Sequence, residues 1–270
     1  MNTLKFPTTD IRHLSSLLRF LFKSDNQWDE QTKKEIKKEA KKAGKEIIGA
    51  INNSDAKEDF IYYVVDSKKE DVKLFWKDTQ DSIIGSLGYL KTVCELQKQT
   101  LLFACNGGMY MENQSPLGWF VHKGKQITSL NTRKGKGNFY LNPNGVFIIT
   151  KNKKAIVTNT ANAKQFSDNA YYATQSGPML IHEGKINSLF DKESINLNIR
   201  NGVGIDSNGN ILFSMSAQPI NFYNFAKFYQ DHGCKEALYL DGFVSRFYAP
   251  SQNFIQTDGG FGVMIGVVAK

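Results

Sequence analysis

The sequence is poor in the residues that build metal centres and disulfide frameworks. Its 270 residues include three cysteines and four histidines. Cys94, Cys105 and Cys234 have neither the spacing of a metal-binding motif nor the even number of a disulfide set, so we expect free, buried thiols. The histidines show no paired spacing. We therefore expect no cofactor, and a divalent cation held by carboxylates stays an open alternative.

The sequence also lacks an apolar run long enough to cross a bilayer. The segment from His13 to Phe22 is interrupted by Arg19, so it does not form a convincing signal-peptide core. We therefore expect no stable membrane insertion and a cytoplasmic protein. Export to the periplasm or beyond is the alternative if a signal peptide has been removed.

Acidic residues are outnumbered, and the chain carries a formal net charge of +8 with a pI of about 9.2. A positive charge favours anionic partners such as sugar phosphates, nucleic acid or membrane surfaces. Residues 1–57 hold 12 Lys and Arg against 8 Asp and Glu. Half of the excess therefore lies in this segment, and the longer remainder is not strongly basic. We expect no nucleic-acid partner.

The first 57 residues differ in pattern from the rest of the chain. Apolar residues at helical spacing predict two amphipathic helices, one containing Ile11, Leu14, Leu18 and Leu21 and the other containing Ile36, Ala43, Ile47 and Ile51. We interpret residues 1–57 as an N-terminal helical hairpin and residues 58–270 as one large domain. The apolar faces must pack on protein. Either that domain's flank or a second copy of the chain, giving a homo-oligomer, would supply the surface.

From residue 58 onward, short runs rich in β-branched and aromatic residues alternate with turn residues, which is typical of a β-rich domain. The predicted strands include Phe60–Val65, Val72–Trp76, Gly118–His122, Gly137–Leu141, Val146–Thr150, Tyr171–Thr174, Met179–His182, Val203–Ile205, Ile211–Ser214 and Ala237–Leu240. Helices are predicted after a Ser82 cap and over Phe222–His232.

Four apolar segments end in small and polar residues. Thr100–Cys105 leads into Asn106-Gly107-Gly108, and Tyr171–Thr174 leads into Gln175-Ser176-Gly177. Arg200-Asn201-Gly202 precedes a strand, and Ala237–Leu240 ends in Asp241-Gly242. Glycines permit positive φ and let a ligand approach the main chain closely. These segments therefore predict four polar strand ends that converge on one cleft.

The motifs together resemble the phosphodiester glycosidase family. The resemblance is carried by NGGMY at residues 106–110, TQSGPMLI at 174–181, NIRNGVGI at 198–205, and ALYLDG at 237–242 with Ser245 beyond it. It extends from about residue 59 to residue 270. It implies an α+β fold with a mixed, β-rich sheet. It also implies a hydrolase that cleaves a sugar-1-phosphodiester, of the N-acetylglucosamine-1-phosphate type, at the anomeric carbon.

Chemical roles can be matched to these motifs. Arg200 can bind two phosphate oxygens through its planar guanidinium. Asp241 can activate water or stabilise an oxocarbenium-like transition state, so both residues are candidate catalytic groups. The remaining candidates would bind substrate through backbone amides or hydrogen-bonding side chains. These are Asn106, Gly107, Gly108, Gln175, Ser176, Gly177, Asn201, Gly242 and Ser245.

Two alternative functions remain, and the stereochemistry of the expected reaction is also open. A non-catalytic sugar-phosphate or glycan-binding module would keep Arg200 and the glycine loops. A thiol enzyme would use Cys105 with His122 or His182, although Cys105 precedes Asn106 on a strand and should face the opposite side. A second catalytic carboxylate is not evident in any motif, so the sequence leaves retention and inversion of the anomeric centre open.

Overall fold

The computed structural model describes residues 60–241 and 244–270, in which fifteen strands form two antiparallel sheets. The strands are β1 (Phe60–Val64), β2 (Glu70–Phe75), β3 (Leu101–Asn106), β4 (Phe120–His122), β5 (Lys125–Thr128), β6 (Asn144–Thr150), β7 (Ala155–Asn159), β8 (Ala170–His182), β9 (Lys185–Ile186), β10 (Asn201–Asp206), β11 (Ile211–Ser216), β12 (Cys234–Asp241), β13 (Phe247–Ala249), β14 (Phe254–Ile255) and β15 (Met264–Ala269). The α-helices are α1 (Leu87–Leu96), α2 (Thr160–Ala163) and α3 (Phe222–Asp231). Single 3₁₀ turns occupy Asn138–Tyr140, Lys164–Phe166 and Pro250–Gln252.

The two sheets differ in size. The large sheet has ten strands and runs β1-β11-β10-β12-β8-β4-β5, with β6 and β9 also paired to β8 and β7 paired to β6. The small sheet has five strands in the order β14-β13-β3-β15-β2. Every strand pair in the described residues is antiparallel.

The predicted fold class, α+β with a mixed sheet, is therefore wrong, because both sheets are antiparallel. Parallel neighbours need crossover connections of a dozen or more residues, whereas several consecutive strands here are joined by tight turns. The β10–β11 connection is one example, in which Gly209 adopts φ +85°. Such turns return the chain antiparallel to itself.

The main core lies between the two sheets. Phe103 of the small sheet stacks on Phe213 of the large sheet, with ring centroids 5.1 Å apart. Phe247 meets Phe103 edge-on at 4.9 Å, and Phe147 meets Phe213 edge-on at 5.9 Å. All four side chains are fully buried. Each contributes about 1.5–3 kcal/mol through burial of apolar surface, so this aromatic column holds the sheets together.

A helix covers the outer face of each sheet. Helix α1 buries Leu87, Leu90 and Cys94 against the small sheet, and the Ser86 hydroxyl caps it by accepting from the amide of Tyr89 at 3.2 Å. Helix α3 packs on the large sheet and is capped by Asn221, whose Oδ1 accepts from the amide of Asn224 at 2.8 Å. The result is a four-layer arrangement of helix, sheet, sheet and helix.

Three local predictions are corrected by the structure. Helix α1 is capped by Ser86 rather than Ser82, because Gly85 adopts φ +70° immediately before it. The predicted strand over Gly137–Leu141 is a 3₁₀ turn that follows Gly137 at φ +92°. The two predicted strands flanking Gln175-Ser176-Gly177 are one continuous strand, β8.

The predicted N-terminal hairpin and the boundary between residues 57 and 58 lie outside the described residues. Among the helices within the described ranges, none combines the length and apolarity that crossing a bilayer requires.

Candidate active site

The polar strand ends meet at one edge of the sandwich. Asn201 begins β10, Asp241 ends β12, and the two residues are register partners. Asn106 ends β3 in the small sheet, opposite Met264. Because antiparallel neighbours run in opposite directions, the start of one strand lies beside the end of the next. Strand pairing therefore brings Asn201 and Asp241 together at one edge, and Asn106 meets them there from the other sheet.

Direct hydrogen bonds connect the two sheets at this edge. The Asn201 side-chain amide donates to the main-chain oxygen of Asn106 at 2.9 Å and to its Oδ1 at 3.1 Å. The Ser245 hydroxyl donates to Asn201 Oδ1 at 3.2 Å, and the Arg246 amide donates to Asn106 Oδ1 at 3.0 Å. Asn106 and Asn201 are fully buried. This Asn106–Asn201–Ser245 cluster is a rigid polar patch between the sheets.

One donor in the cluster is left over. Asn106 Nδ2 is buried and has no acceptor among the described residues. Leaving a buried donor unpaired costs about 1–3 kcal/mol, so native proteins seldom do it without a functional reason. Asn106 therefore has a donor available to a ligand oxygen.

Arg200 is the second polar group with spare capacity. It is fully buried, and its Nε and Nη2 each donate at 2.8 Å, to the main-chain oxygens of Ile220 and Asn196 respectively. Its guanidinium lies 3.7 Å above the Phe222 ring centroid and 5.6 Å from that of Tyr239. Nη1 has no partner among the described residues.

The electrostatics around Arg200 favour an anion. Within the described residues no carboxylate forms an ion pair with it. Burial lowers the pKa of Arg200, and the charge and hydrogen bond of Tyr239 act in the opposite direction. An arginine nevertheless stays protonated in proteins. A buried cation whose partners are carbonyl oxygens and the side chains of Phe222 and Tyr239 is incompletely compensated, and an anionic ligand would stabilise it.

Arg200 and Asn201 face opposite sides of the large sheet, as neighbours along an extended chain do. Asn201 contacts Asn106 between the sheets, whereas Arg200 contacts Phe222 and Tyr239, which belong to the cluster under α3. The motifs therefore share one edge, but their side chains form two groups there instead of lining a single wall.

Gly177 lies on the Arg200 side of the edge. A Cβ at this position would stand 2.8 Å from Tyr239 Cδ1 and 2.9 Å from Met109 Cε. The absent side chain lets Met109, from the NGGMY motif, approach Tyr239, on which Arg200 also rests. Strand β8 thereby joins the NGGMY segment to the Arg200 group.

The side chains of Gln175 and Ser176 form hydrogen bonds with main-chain atoms of neighbouring segments. Gln175 Oε1 accepts from the amides of Trp119 and Asn131, both at 2.9 Å, and its Nε2 donates to the Asn131 oxygen at 2.8 Å and to Thr160 Oγ1 at 3.2 Å. Ser176 donates to the main-chain oxygen of Leu240, next to Asp241. Both residues fix the position of neighbouring segments.

Close packing, which the sequence pattern does not indicate, explains why residues 107 and 108 are glycines. Neither adopts positive φ. A Cβ on Gly107 would stand 2.4 Å from Ile265 Cγ1, and one on Gly108 would stand 2.2 Å from Thr174 Oγ1. Close packing against the neighbouring strands, and not left-handed backbone, requires glycine at both positions.

Gly242 lies outside the described residues, and only the main chain of Asp241 is described. Among other carboxylates near the motifs, Asp206 is engaged in its own turn. It accepts from the amides of Asn208 and Asn210 at 2.8 Å, and although burial alone would raise its pKa, these and further donors lower it. Glu112 is exposed.

A thiol mechanism gains no support from the geometry. Cys105 is fully buried, and burial raises the pKa of its thiol far above the usual value, although a hydrogen bond with Asn201 acts the other way. His182 bonds to Glu236 through Nδ1 at 3.0 Å and His122 stacks on Tyr172 at 5.6 Å. Across the described ranges, no cluster of three or more His, Cys, Asp or Glu residues is arranged to hold a metal ion.

Two aromatic residues belong to the site although the sequence did not assign them to it. Phe222 and Tyr239 enclose the Arg200 guanidinium. Tyr239 lies inside the ALYLDG motif, and Phe222 directly follows the Asn221 cap, so their positions beside motif residues were the available signal. Their aromatic character alone indicates core packing equally well.

Comparison with known proteins gives a consistent result. The sequence model of the phosphodiester glycosidase family matches residues 99–262. The uncharacterized protein YigE of Escherichia coli K12 is 38% identical over 187 residues, covering 69% of this chain and 72% of that protein.

Two solved structures match this chain at low sequence identity. A protein of Burkholderia pseudomallei K96243 has a TM-score of 0.53 and 9% identity, over 77% of this chain and 73% of that one. The zebrafish N-acetylglucosamine-1-phosphodiester alpha-N-acetylglucosaminidase catalytic domain has a TM-score of 0.48 and 14% identity, over 77% and 88% respectively. On the family match and the YigE relationship, this chain belongs to the phosphodiester glycosidase family.

Proposed function

We propose that the protein hydrolyses a sugar-1-phosphodiester, of the N-acetylglucosamine-1-phosphate type, at the anomeric carbon. The proposal rests on the state of Arg200. This buried cation has an Nη1 without a partner and no carboxylate partner among the described residues. It lies at the edge where Asp241 ends its strand. Family membership supplies the reaction class.

In this proposal Arg200 binds the phosphate. The guanidinium is held in place by two carbonyl oxygens and by the Phe222 ring, so it would be oriented before substrate arrives. Preorganised positive charge stabilises negative charge that develops on the leaving phosphate in the transition state. Asn106 Nδ2 would add a neutral donor to a sugar or phosphate oxygen from the other face of the edge.

The proposed reaction breaks the bond between the anomeric carbon and the phosphate oxygen. Water adds to the anomeric carbon, and the phosphate departs as a monoester dianion or monoanion, whose second pKa near 6 makes it a good leaving group. Little acid catalysis is therefore needed at that oxygen. Asp241 would act at the opposite side of the bond, as the base that takes the water proton or as a carboxylate that stabilises the oxocarbenium-like sugar.

The test measures sugar release from UDP-N-acetylglucosamine and from an aryl N-acetylglucosaminide, using wild-type protein and Asp241→Asn. We expect release by the wild type and a kcat lowered by about 10²–10⁴-fold in Asp241→Asn, the usual range for loss of a general acid or base. Asp231→Asn, which alters an exposed aspartate paired with Lys227 at the end of α3, is the matched control and should retain full activity.

Two outcomes would count against the proposal. Full turnover by Asp241→Asn would remove Asp241 from the chemistry. Binding of sugar phosphates without release of sugar by the wild type, across a panel of donors, would favour a non-catalytic binding module. If the enzyme is active, proton NMR can identify which anomer of the sugar is released first, and this distinguishes retention from inversion of the anomeric centre.

A further inference from the structure

A cleft lies at the end of the sandwich opposite to the candidate active site. It has a volume of about 330 Å³ and is lined by the starts of β2, β8 and β11 and by the end of β6. Ile211 lines it, whereas Met215, four residues along the same strand, pairs with Asn201 at the candidate active site. At about 3.3 Å per residue the two places are separated by roughly 13 Å along that strand.

Positive charge predominates in this cleft. Its lining includes four lysines and two acidic residues: Lys73, Lys123, Lys151, Lys153, Glu70 and Asp71. Both carboxylates are already engaged. Glu70 accepts from the Tyr63 hydroxyl and from the Asp66 amide, each at 2.9 Å, and Asp71 pairs with Lys153 at 2.9 Å.

Three of the lysines are left without a carboxylate. Lys73, Lys123 and Lys151 form no ion pair with any acid in the described residues. Lys73 is half-buried on β2. Burial lowers its pKa, and the charges of Lys123 and Lys153 lower it further while Asp71 opposes them. Asp71 is the nearby anion, and it is already paired with Lys153, so a further anion would stabilise the partly desolvated Lys73 ammonium.

The cleft also presents a flat apolar surface beside these charges. Tyr171 lines it with 39% of its surface exposed, and the buried Tyr172 ring supports it edge-on with centroids 4.9 Å apart. An exposed aromatic face next to hydrogen-bond donors suits a sugar ring, which has apolar C–H faces and polar edges. The volume is in the range of small-ligand sites and too small for a folded partner.

We propose that this Lys73–Tyr171 cleft binds a phosphorylated monosaccharide, with the phosphate against Lys73, Lys123 and Lys151 and the sugar ring against Tyr171. The site is separate from Arg200, and the proposal does not depend on the proposed hydrolysis. A phosphate can accept charge-assisted hydrogen bonds from several ammonium groups at once. The two carboxylates of the cleft cannot serve these lysines in the same way, because Glu70 and Asp71 are already engaged.

The test uses glucose 6-phosphate, whose phosphate is not on the anomeric carbon, so that binding is separable from the proposed reaction. Calorimetry on full-length protein should show binding that the double variant Lys73→Gln/Lys123→Gln weakens by about tenfold or more, as expected for loss of hydrogen bonds to a charged group. The double variant Lys185→Gln/Lys235→Gln removes two charges elsewhere and should leave the affinity unchanged.

Two further experiments test which part of the ligand contacts the cleft and where on the protein the ligand binds. Tyr171→Ala should weaken binding of glucose 6-phosphate while leaving that of inorganic phosphate unchanged. In ¹⁵N-labelled protein, glucose 6-phosphate should shift the amide signals of Lys123, Gly124 and Lys151 and not those of Asn201 and Gly202. Lys151→Gln, an exposed single change, repeats the test if the double variant is unstable.

The proposal is overturned if the wild type does not bind glucose 6-phosphate, or if the two double variants lose affinity equally. Shifts confined to Asn201 and its neighbours would also overturn it. None of these outcomes bears on hydrolysis at Arg200 and Asp241, which is measured separately with sugar-1-phosphodiesters.

Discussion

Asn201 joins the two sheets by donating its one side-chain amide to both oxygens of Asn106, at 2.9 Å to the main-chain oxygen and 3.1 Å to Oδ1. Asn201 also stands opposite Asp241 in the strand register. The same residue therefore fixes the spacing of the sheets and borders the proposed catalytic position. A substitution at this point of the fold should therefore affect both stability and the proposed activity.

Asn201→Ala should lower the free energy of unfolding by about 1–3 kcal/mol, because it removes the Asn201 donor from the buried main-chain oxygen of Asn106 and one of the two donors from Asn106 Oδ1. Urea unfolding followed by circular dichroism measures this. Asn208→Ala, in the exposed β10–β11 turn, is the matched control and should change stability by less than about 0.5 kcal/mol. Equal effects of the two changes would contradict a bridging role for Asn201.

Gly107→Ala should destabilise the protein by about 1–3 kcal/mol, the usual range for overpacking a well-packed interior. The new methyl group would stand 2.4 Å from Ile265 Cγ1 and 2.9 Å from the Ile265 main-chain nitrogen, and the main chain cannot easily move aside. Gly260→Ala is the control, since a Cβ there meets nothing within 4 Å. A thermal melt compares the two; a Gly107 variant as stable as the Gly260 variant would show that the strands can separate.

Much of this site could be predicted from sequence because its motifs are short and local. The apolar runs before Asn106 and before Asp241 correctly indicate strands whose ends are polar. Antiparallel pairing then brings Asn201 beside Asp241, and a side-chain hydrogen bond between the sheets brings Asn106 to the same edge. Helix α3 was also predictable, since aromatic residues at helical spacing follow the Asn221 cap.

The remainder depended on tertiary contacts that no local pattern encodes. The glycines at 107 and 108 exist for the side chains of Ile265 and Thr174, which are far away in sequence. Gln175 is engaged by Trp119 and Asn131 through pairing that the sequence does not show. The family resemblance implied a mixed sheet, and only the strand register shows that both sheets are antiparallel.

The three thiols should be unreactive in the native protein near neutral pH. Burial raises the pKa of Cys94 to about 11 and that of Cys234 to about 12, and Cys105 is shifted further in the same direction. The thiolate is the reactive form, so its population near pH 8 is negligible. A disulfide reagent should therefore modify all three only after denaturation in urea. Rapid labelling of Cys105 in folded protein would instead revive a thiol mechanism.

Asp78 should make stability depend on pH in the acid range. The Tyr89 hydroxyl at 2.8 Å is the largest cause that lowers the pKa of this carboxyl, and the amides of Ser82 and Gln80 add to it. A carboxyl with a lowered folded-state pKa stabilises the fold above its unfolded pKa of about 3.9, and this contribution is lost as the pH falls through the folded value.

Asp78→Asn should therefore be less stable than the wild type at pH 6, and the difference should shrink below about pH 4. Urea midpoints at several pH values provide the measurement. Asp168→Asn, at an exposed aspartate, should keep the wild-type pH profile. A difference between Asp78→Asn and wild type that stays constant down to pH 3 would show that the hydrogen bonds do not discriminate between the protonation states.

Arg200→Lys should separate phosphate recognition from structural support. Lysine keeps the positive charge, but it lacks the planar fork and cannot donate to Ile220 and Asn196 while also stacking on Phe222 as the guanidinium does. If Arg200 binds the phosphate, kcat/KM for a sugar-1-phosphodiester should fall by about 100-fold, equivalent to about 3 kcal/mol of lost transition-state stabilisation. An aryl N-acetylglucosaminide carries no phosphate, so its kcat/KM should fall far less. A purely structural role would lower both values by the same factor, because a displaced strand edge harms every substrate alike. The ratio of the two kcat/KM values therefore decides the role of Arg200, whatever the loss of stability in the variant.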